Sequence, residues 1–343
     1  MRWWCSILFA VCVLCLSTKA QTLGGETTFN FLKLPFSPQQ SALGGINAAQ
    51  HTNDVSLAFH NPALLSKEMD RQLATSFNSF YGGIKNYALQ FAYHHSKLAT
   101  DFSIGTHFLN YGDILQTDAS GMEIGSFRPR DFVLQVSAAR TYLKKWRYGV
   151  SLKWIGSNYG MARANGMAVD VGVLYNDTAN GLRIALTAIN MGTQFRTYAG
   201  LKEELPFDLQ LGISKKLADA PLQFSVNLHH LHRFDIRYND PLFNEEAGEE
   251  NAGRSGLDGL FRHVVLGAQL FLGEKIELST GYNHLRRREL NVANTTNGLN
   301  GFSMGIGIIL EKIQVRYAST WYQNNRAYQQ LGLNLPLKSY TKR

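Results

Sequence analysis

The sequence predicts an all-β fold: a transmembrane, antiparallel outer-membrane β-barrel of about fourteen strands. Three observations carry this. Apolar and polar residues alternate along most of the chain after residue 71. Short and long connections fall on opposite ends of the expected strands. The chain opens with a leader that sends it out of the cytoplasm.

The leader occupies residues 1–20. Arg2 supplies its positive charge, and residues 7–16 form an apolar run too short to span a bilayer comfortably as a helix. Thr18-Lys19-Ala20 resembles a small-residue cleavage site, which puts the mature start at Gln21. Cys5, Cys12 and Cys15 all lie in this leader, without the flanking residues of a lipoprotein signal. The mature chain then has no disulfide, no thiolate metal site and no cysteine nucleophile. Losing Arg2 and Lys19 lowers the formal net charge from +8 to +6. The remaining basic residues are scattered, which argues against nucleic acid as a partner.

Residues 21–70 do not alternate and are expected to form an N-terminal hatch with short helices. Gly44-Gly45 supplies the freedom for a tight turn. Asn61 before Pro62 suits a helix cap with proline at the first helical position. The barrel is expected over 71–336, with strands at 71–80, 86–95, 101–115, 124–140, 147–160, 166–176, 182–191, 206–216, 221–235, 261–272, 275–288, 301–311, 313–322 and 327–336. Residues 337–343 form a polar, basic tail.

The period of two is plain in most of these segments. Leu222, Phe224, Val226 and Leu228 alternate with Gln223, Ser225, Asn227 and His229. A period of two means a strand with two different faces. Links after every second strand are short, as at Ser96-Lys97-Leu98, Gly273-Glu274 and Lys312. Residues 192–205, 236–260 and 289–300 form longer links at the other end. Such sorting belongs to barrels with short periplasmic turns and long external loops.

The polar face carries Gln90, His107, Gln135, Lys153, Asp170, Gln210, Asn227, Gln269, Glu277 and Arg316. In a bilayer this face belongs to the lumen and the apolar face to lipid. Tyr93, Trp154, Tyr175, Tyr282, Trp321 and Tyr322 fall where interface aromatics belong. Val226→Arg is expected to cost about 2–4 kcal/mol near the midplane, and Asn227→Arg much less.

Two short motifs carry a resemblance. Ser41-Ala42-Leu43-Gly44-Gly45, followed by Asn61-Pro62-Ala63-Leu64-Leu65, resembles the hatch pattern of FadL-like outer-membrane proteins. The opening Gln21-Thr22-Leu23-Gly24-Gly25, with Thr27, Phe29, Phe31 and Leu32, is similar to the PorV/PorQ family of the type IX secretion system. The likeness is closest over residues 21–70 and weaker along the strands. It implies a hatch inside the barrel, with Leu43, Gly44, Gly45, Asn61, Pro62 and Ala63 as the family motif. It further implies a non-enzymatic surface anchor with no cofactor. The implied partner is a PorZ-like surface protein, held in a complex with PorV and the sortase PorU that joins cargo to lipopolysaccharide. Many barrels end on an aromatic residue; here Tyr340 is followed by three further residues. The alternative is a FadL-like channel for hydrophobic small molecules, gated by the hatch.

Candidate partner-binding residues sit in the long loops. Glu245, Glu246, Glu249 and Glu250 make an acidic stretch, with Arg237 before it. Arg286-Arg287-Arg288 can meet lipopolysaccharide phosphates or those glutamates. His229, His230 and His232 invite a metal. On a strand, however, only His230 and His232 share a face, and no third ligand is fixed by spacing, so no metal site is expected. No nucleophile elbow, zinc-protease motif or phosphate loop is present.

Overall fold

The computed structural model describes residues 27–236, 256–289, 298–323 and 326–341. The leader, with the expected mature start, lies outside them. So do Arg237, Glu245, Glu246, Glu249 and Glu250.

The strands are β1 (Gln72–Ser79), β2 (Lys85–His95), β3 (Thr100–Asn110), β4 (Ile114–Thr117), β5 (Glu123–Phe127), β6 (Arg130–Tyr142), β7 (Trp146–Tyr159), β8 (Ala162–Asp177), β9 (Leu182–Arg196), β10 (Asp208–Lys216), β11 (Leu222–Leu228), β12 (Val264–Leu272), β13 (Ile276–Asn283), β14 (Phe302–Ile309), β15 (Gln314–Gln323) and β16 (Arg326–Pro336). Fourteen of them form a closed antiparallel barrel, each paired with its neighbour in the chain. The hairpin β4–β5 stands apart, and β3 pairs directly with β6. β16 closes onto β1 with Leu73 opposite Leu335 and Phe77 opposite Leu331. Closure leaves no unpaired edge, which a membrane-spanning sheet requires.

The two faces sort as the alternation predicts. Outward-facing Ile104, Val150, Leu186, Phe224, Val226 and Ile306 are exposed, while Gln90, Gln135, Ser151, Asn227 and Gln269 are buried. Greasy residues exposed on every strand, with polar ones inside, reverse the soluble arrangement and make the outer wall a lipid-facing belt. No helix among the described residues is long and apolar enough to cross a membrane.

Four details differ from the sequence expectation. The span 124–140 is interrupted: β5 belongs to the hairpin, and the barrel strand starts at Arg130, after Pro129, which has no N–H to donate. The span 221–235 ends at Leu228, because His230 adopts a left-handed backbone (φ 54) and gives its N–H to Asp208 Oδ1 at 2.6 Å. The span 275–288 ends at Asn283, whose Oδ1 accepts from Arg286 N at 3.0 Å and starts a helix, residues His284–Glu289. The expected link 192–205 is shorter, because β9 runs to Arg196.

Residues 27–70 fill the lumen. They form α1 (Pro38–Ala42) and 3-10 turns at Asn30–Lys33, Val55–Phe59, Pro62–Leu64 and Lys67–Met69. Each of the three following caps satisfies an orphan N–H at a turn start. Ser37 Oγ accepts from Gln40 N at 3.2 Å, Asp54 Oδ1 from Ser56 N at 2.9 Å, and Asn61 Oδ1 from Ala63 N at 2.9 Å. Pro38 and Pro62 take first-turn positions, where a missing N–H costs nothing. Towards the short-turn end, Val55, Leu57, Leu64, Leu65 and Met69 pack against Ala74, Ala92, Leu174 and Ala185 of the wall. Towards the long-loop end, Phe29, Phe31, Phe36 and Phe59 pack against Leu109, Val133 and Ile155. The Phe36 and Phe59 rings stack 4.0 Å apart.

The filled lumen corrects one expectation. Asn227 does not face open water; its Oδ1 accepts from Ala48 N of the hatch at 3.0 Å. Asn227→Arg must therefore displace the hatch, and is no longer a mild change. Tyr322 is a second correction. It does not join an outer aromatic girdle, but packs at a tilt against Tyr328 and receives the Arg286 guanidinium 4.4 Å from its centroid.

Candidate functional site: the plugged lumen and the long-loop rim

The motif residues are what seat the hatch. Gly44 and Gly45 both have positive φ, at 93° and 91°, a conformation few other residues hold without strain. This turn points Gly44 N at Ser303 Oγ, 3.1 Å away, and Gly44 O at Asn283 Nδ2 (3.1 Å) and Arg286 Nη2 (3.0 Å). Leu43 is fully buried and lies against Gly281, where a Cβ would collide with the backbone of Leu43 and Gly44. Asn61 Nδ2 donates to Ala48 O at 2.6 Å, folding one hatch segment onto another. Pro62 and Ala63 press on β7 where Gly149 has no side chain.

Two ionic clusters lock the plug and the wall. Arg316 of β15 donates from Nη1 to Asp54 Oδ2 of the hatch at 2.9 Å, and from Nε to Glu277 Oε1 of β13 at 2.5 Å. All three side chains are nearly buried. Lys153 of β7 pairs with Asp170 of β8 at 2.6 Å, also fully buried. Lys153 Nζ donates to Asn190 Oδ1 at 2.8 Å, and Asn190 N donates to Asp170 Oδ1 at 2.7 Å. Asn190 sits in a bulge of β9 with φ 59, where the ladder jumps from Val169–Met191 to Val171–Ala188.

The bulge has a consequence for the wall. β10 pairs with β9 only from Ile189 downward, where Asp208 is its partner. Above that point β9 parts from β10, and a cavity of about 550 Å³ opens there, lined by Asn190–Thr193, Lys202–Leu205 and Phe207. Inside, a pocket beside Arg316 and Asp54 has a volume of about 10 Å³, room for about one water.

At the rim, α2 (Gly256–Arg262) meets α3 (His284–Glu289). Asp258 joins them: it accepts from Arg262 Nε at 2.9 Å and Arg288 Nε at 3.0 Å, and lies 3.1 Å from His284 Nε2. Burial alone would raise the Asp258 carboxyl. Bonds from His284 and Arg262, with the charges of Arg262 and Arg288, outweigh it and hold the group well below the usual range. The structure thus divides the Arg286–Arg288 run. Arg286 turns inward onto Gly44 and Tyr322, Arg288 is half-exposed and tied to Asp258, and Arg287 is exposed.

The histidines also fall differently from a strand reading. The left-handed backbone at His230 turns its ring back onto His229, so that their Nδ1 atoms lie 2.5 Å apart. Asp208, from the neighbouring strand, joins them, with ligand atoms of all three within 4.8 Å of one another. Burial first, then neighbouring His230, pushes His229 down to about 3, and burial lowers His230 also.

Sequence reading placed Arg316 and Glu277 on the lumen face but gave no role to Asp54 or Asp208. Opposite charges at corresponding lumen positions were the available signal for the first pair. None existed for Asp208, whose partners lie some twenty residues away, beyond a turn.

No family model matches the chain, and no curated protein matches it. Among solved structures, it is similar to the ΔS2S3 mutant of the TodX monoaromatic hydrocarbon channel. That alignment covers 88% of this chain and 97% of the other, with TM-score 0.53 and 12% identity. The Pseudomonas putida toluene transporter TodX aligns over 88% and 96%, with TM-score 0.51 and 10% identity. A Pseudomonas aeruginosa FadL homologue aligns over 87% and 97%, with TM-score 0.47 and 10% identity. The fold is a closed antiparallel barrel of fourteen strands, similar to that of TodX.

Proposed function

We propose that the chain is a non-enzymatic outer-membrane component of the type IX protein secretion system. In this reading its long loops face the cell exterior and hold a PorZ-like surface partner in the attachment complex with PorV and the sortase PorU. The observation that carries the reading is the filled lumen. The hatch is bonded to the wall through Arg316, Asp54 and Glu277, and its aromatic side chains pack against Leu109, Val133 and Ile155. A plug bonded to the wall suits a rigid pedestal for the loops. The order of the hatch motifs, from Gln21 to Leu65, supports the same family. Exposed Arg287 on the rim offers a cation to lipopolysaccharide or to an acidic partner surface.

A second reading has its own observation. A cavity lies where the ladder between β9 and β10 ends, and TodX, similar in fold, is described as a toluene transporter. A channel for hydrophobic small molecules would use such a cavity as its entry, with the hatch as gate.

The deciding experiment is deletion of the gene in its native host. In the anchoring reading, secreted cargo leaves the cell surface and one large surface protein is lost from the outer membrane with it. Normal cargo attachment, with poor growth on a hydrophobic nutrient, overturns that reading and establishes the channel. Removal of residues 240–258 separates them again: it abolishes partner capture in the first case and leaves uptake intact in the second.

A further inference from the structure

At the long-loop rim, three potential metal ligands converge from two strands. Asp208 is the first residue of β10, and His229 and His230 directly follow β11. β10 and β11 pair up to Leu211 and Leu228, so the hydrogen-bonded sheet itself brings these residues together. The Nδ1 of the buried His229 ring faces His230 Nδ1, and its Nε2 makes no hydrogen bond of normal geometry among the described residues. The Asp208 carboxylate is already oriented. Its Oδ1 accepts the His230 N–H at 2.6 Å, and its Oδ2 accepts from Gln210 Nε2 at 2.7 Å. His263 braces the segment from the other side. Its backbone O accepts from His229 N at 3.0 Å, and its Nδ1 lies 2.7 Å from His229 O. His230 holds a left-handed backbone, φ 54, and such conformations cluster at functional sites.

We propose that Asp208, His229 and His230 form a binding site for one divalent transition-metal ion of the zinc class. Two imidazole nitrogens and one carboxylate suit a borderline cation and leave a fourth position for water or a partner group. The distances allow it. Tetrahedral ligands bonded at 2.0–2.1 Å lie about 3.3 Å from one another. The two Nδ1 atoms, now 2.5 Å apart, have to spread by less than about 1 Å. Asp208 Oδ1, now 3.9 Å from His230 Nδ1, has to close by a similar amount. A bound ion would take a lone pair from each Nδ1 in place of the hydrogen bond between them. It would also cross-link the tops of β10 and β11 at the root of the long connection to β12. This inference does not depend on either functional reading.

The test uses the mature chain in detergent, purified without a polyhistidine tag. The protein is stripped with a chelator, equilibrated with zinc chloride, desalted and analysed for bound metal. About one zinc per chain is expected, and cobalt in its place should give the visible absorption of a tetrahedral site. His229→Ala and His230→Ala should abolish retention, and Asp208→Asn should weaken it by about tenfold or more. His232→Ala should retain the metal. Asp208→Asn keeps an oxygen acceptor for the His230 N–H, and heat-modifiable gel migration reports that each variant has folded. A folded wild-type chain that retains no zinc overturns the proposal. So does one zinc that survives all three ligand substitutions.

Discussion

The Arg316 cluster makes a quantitative claim about how the plug is held. Arg316→Met keeps most of the side-chain volume and removes the charge between Asp54 and Glu277. At an effective dielectric constant of about 20, a contact near 3 Å is worth ~6 kcal/mol before desolvation. Removing one partner of a buried ion pair costs a net amount of about 3–5 kcal/mol, because the remaining charge stays buried. The variant should therefore lose about 3–5 kcal/mol. Equilibrium urea unfolding in phospholipid vesicles reads the loss, and protease cleavage within residues 27–70 reads release of the hatch. Adding Asp54→Asn to the variant should restore part of the stability, since one orphaned charge is then gone. A loss below about 1 kcal/mol, with the hatch still protected from protease, would show that the cluster is hydrated and does not anchor the hatch.

Three further outcomes follow from the same geometry. Val226→Arg should destabilise the barrel by about 2–4 kcal/mol, by burying a cation in lipid. Asn227→Arg should also destabilise it, but with added protease sensitivity in the hatch, which Val226→Arg should not show. Gly281→Ala forces a methyl group into the backbone of Leu43 and Gly44 and should cost about 1–3 kcal/mol, read as a lower urea midpoint. For Asp258 the sign is set by its depressed carboxyl. The stability it lends to the α2–α3 contact is complete above the ordinary carboxylate range, and is lost as the pH falls through and below that range. Hydrogen exchange across residues 256–289 should rise in acid in the wild type, and should already be high at pH 7 in Asp258→Ala.

The sequence by itself determined the wall. Alternation is local, so the two faces of each strand could be read from pairs such as Val226 and Asn227. A run of such strands with short links at one end leaves few closed architectures other than a membrane barrel. It also gave the caps at Asn61 and the turn at Gly44-Gly45, because both depend on neighbouring residue types. Only the tertiary structure decided what fills the lumen and where the charges meet. Asp54 reaches Arg316 across 262 positions of sequence, and Ser41 reaches Gln330 across 289. No local period encodes such contacts. The bulge at Asn190 and the turn at His230 are backbone events, and each redirects side chains that simple alternation places elsewhere. For that reason the cavity beside β9 and the meeting of Asp208 with His229 and His230 had no trace in spacing. They arise where a ladder stops, and the chain's own polar side chains take over the hydrogen bonds that the ladder leaves.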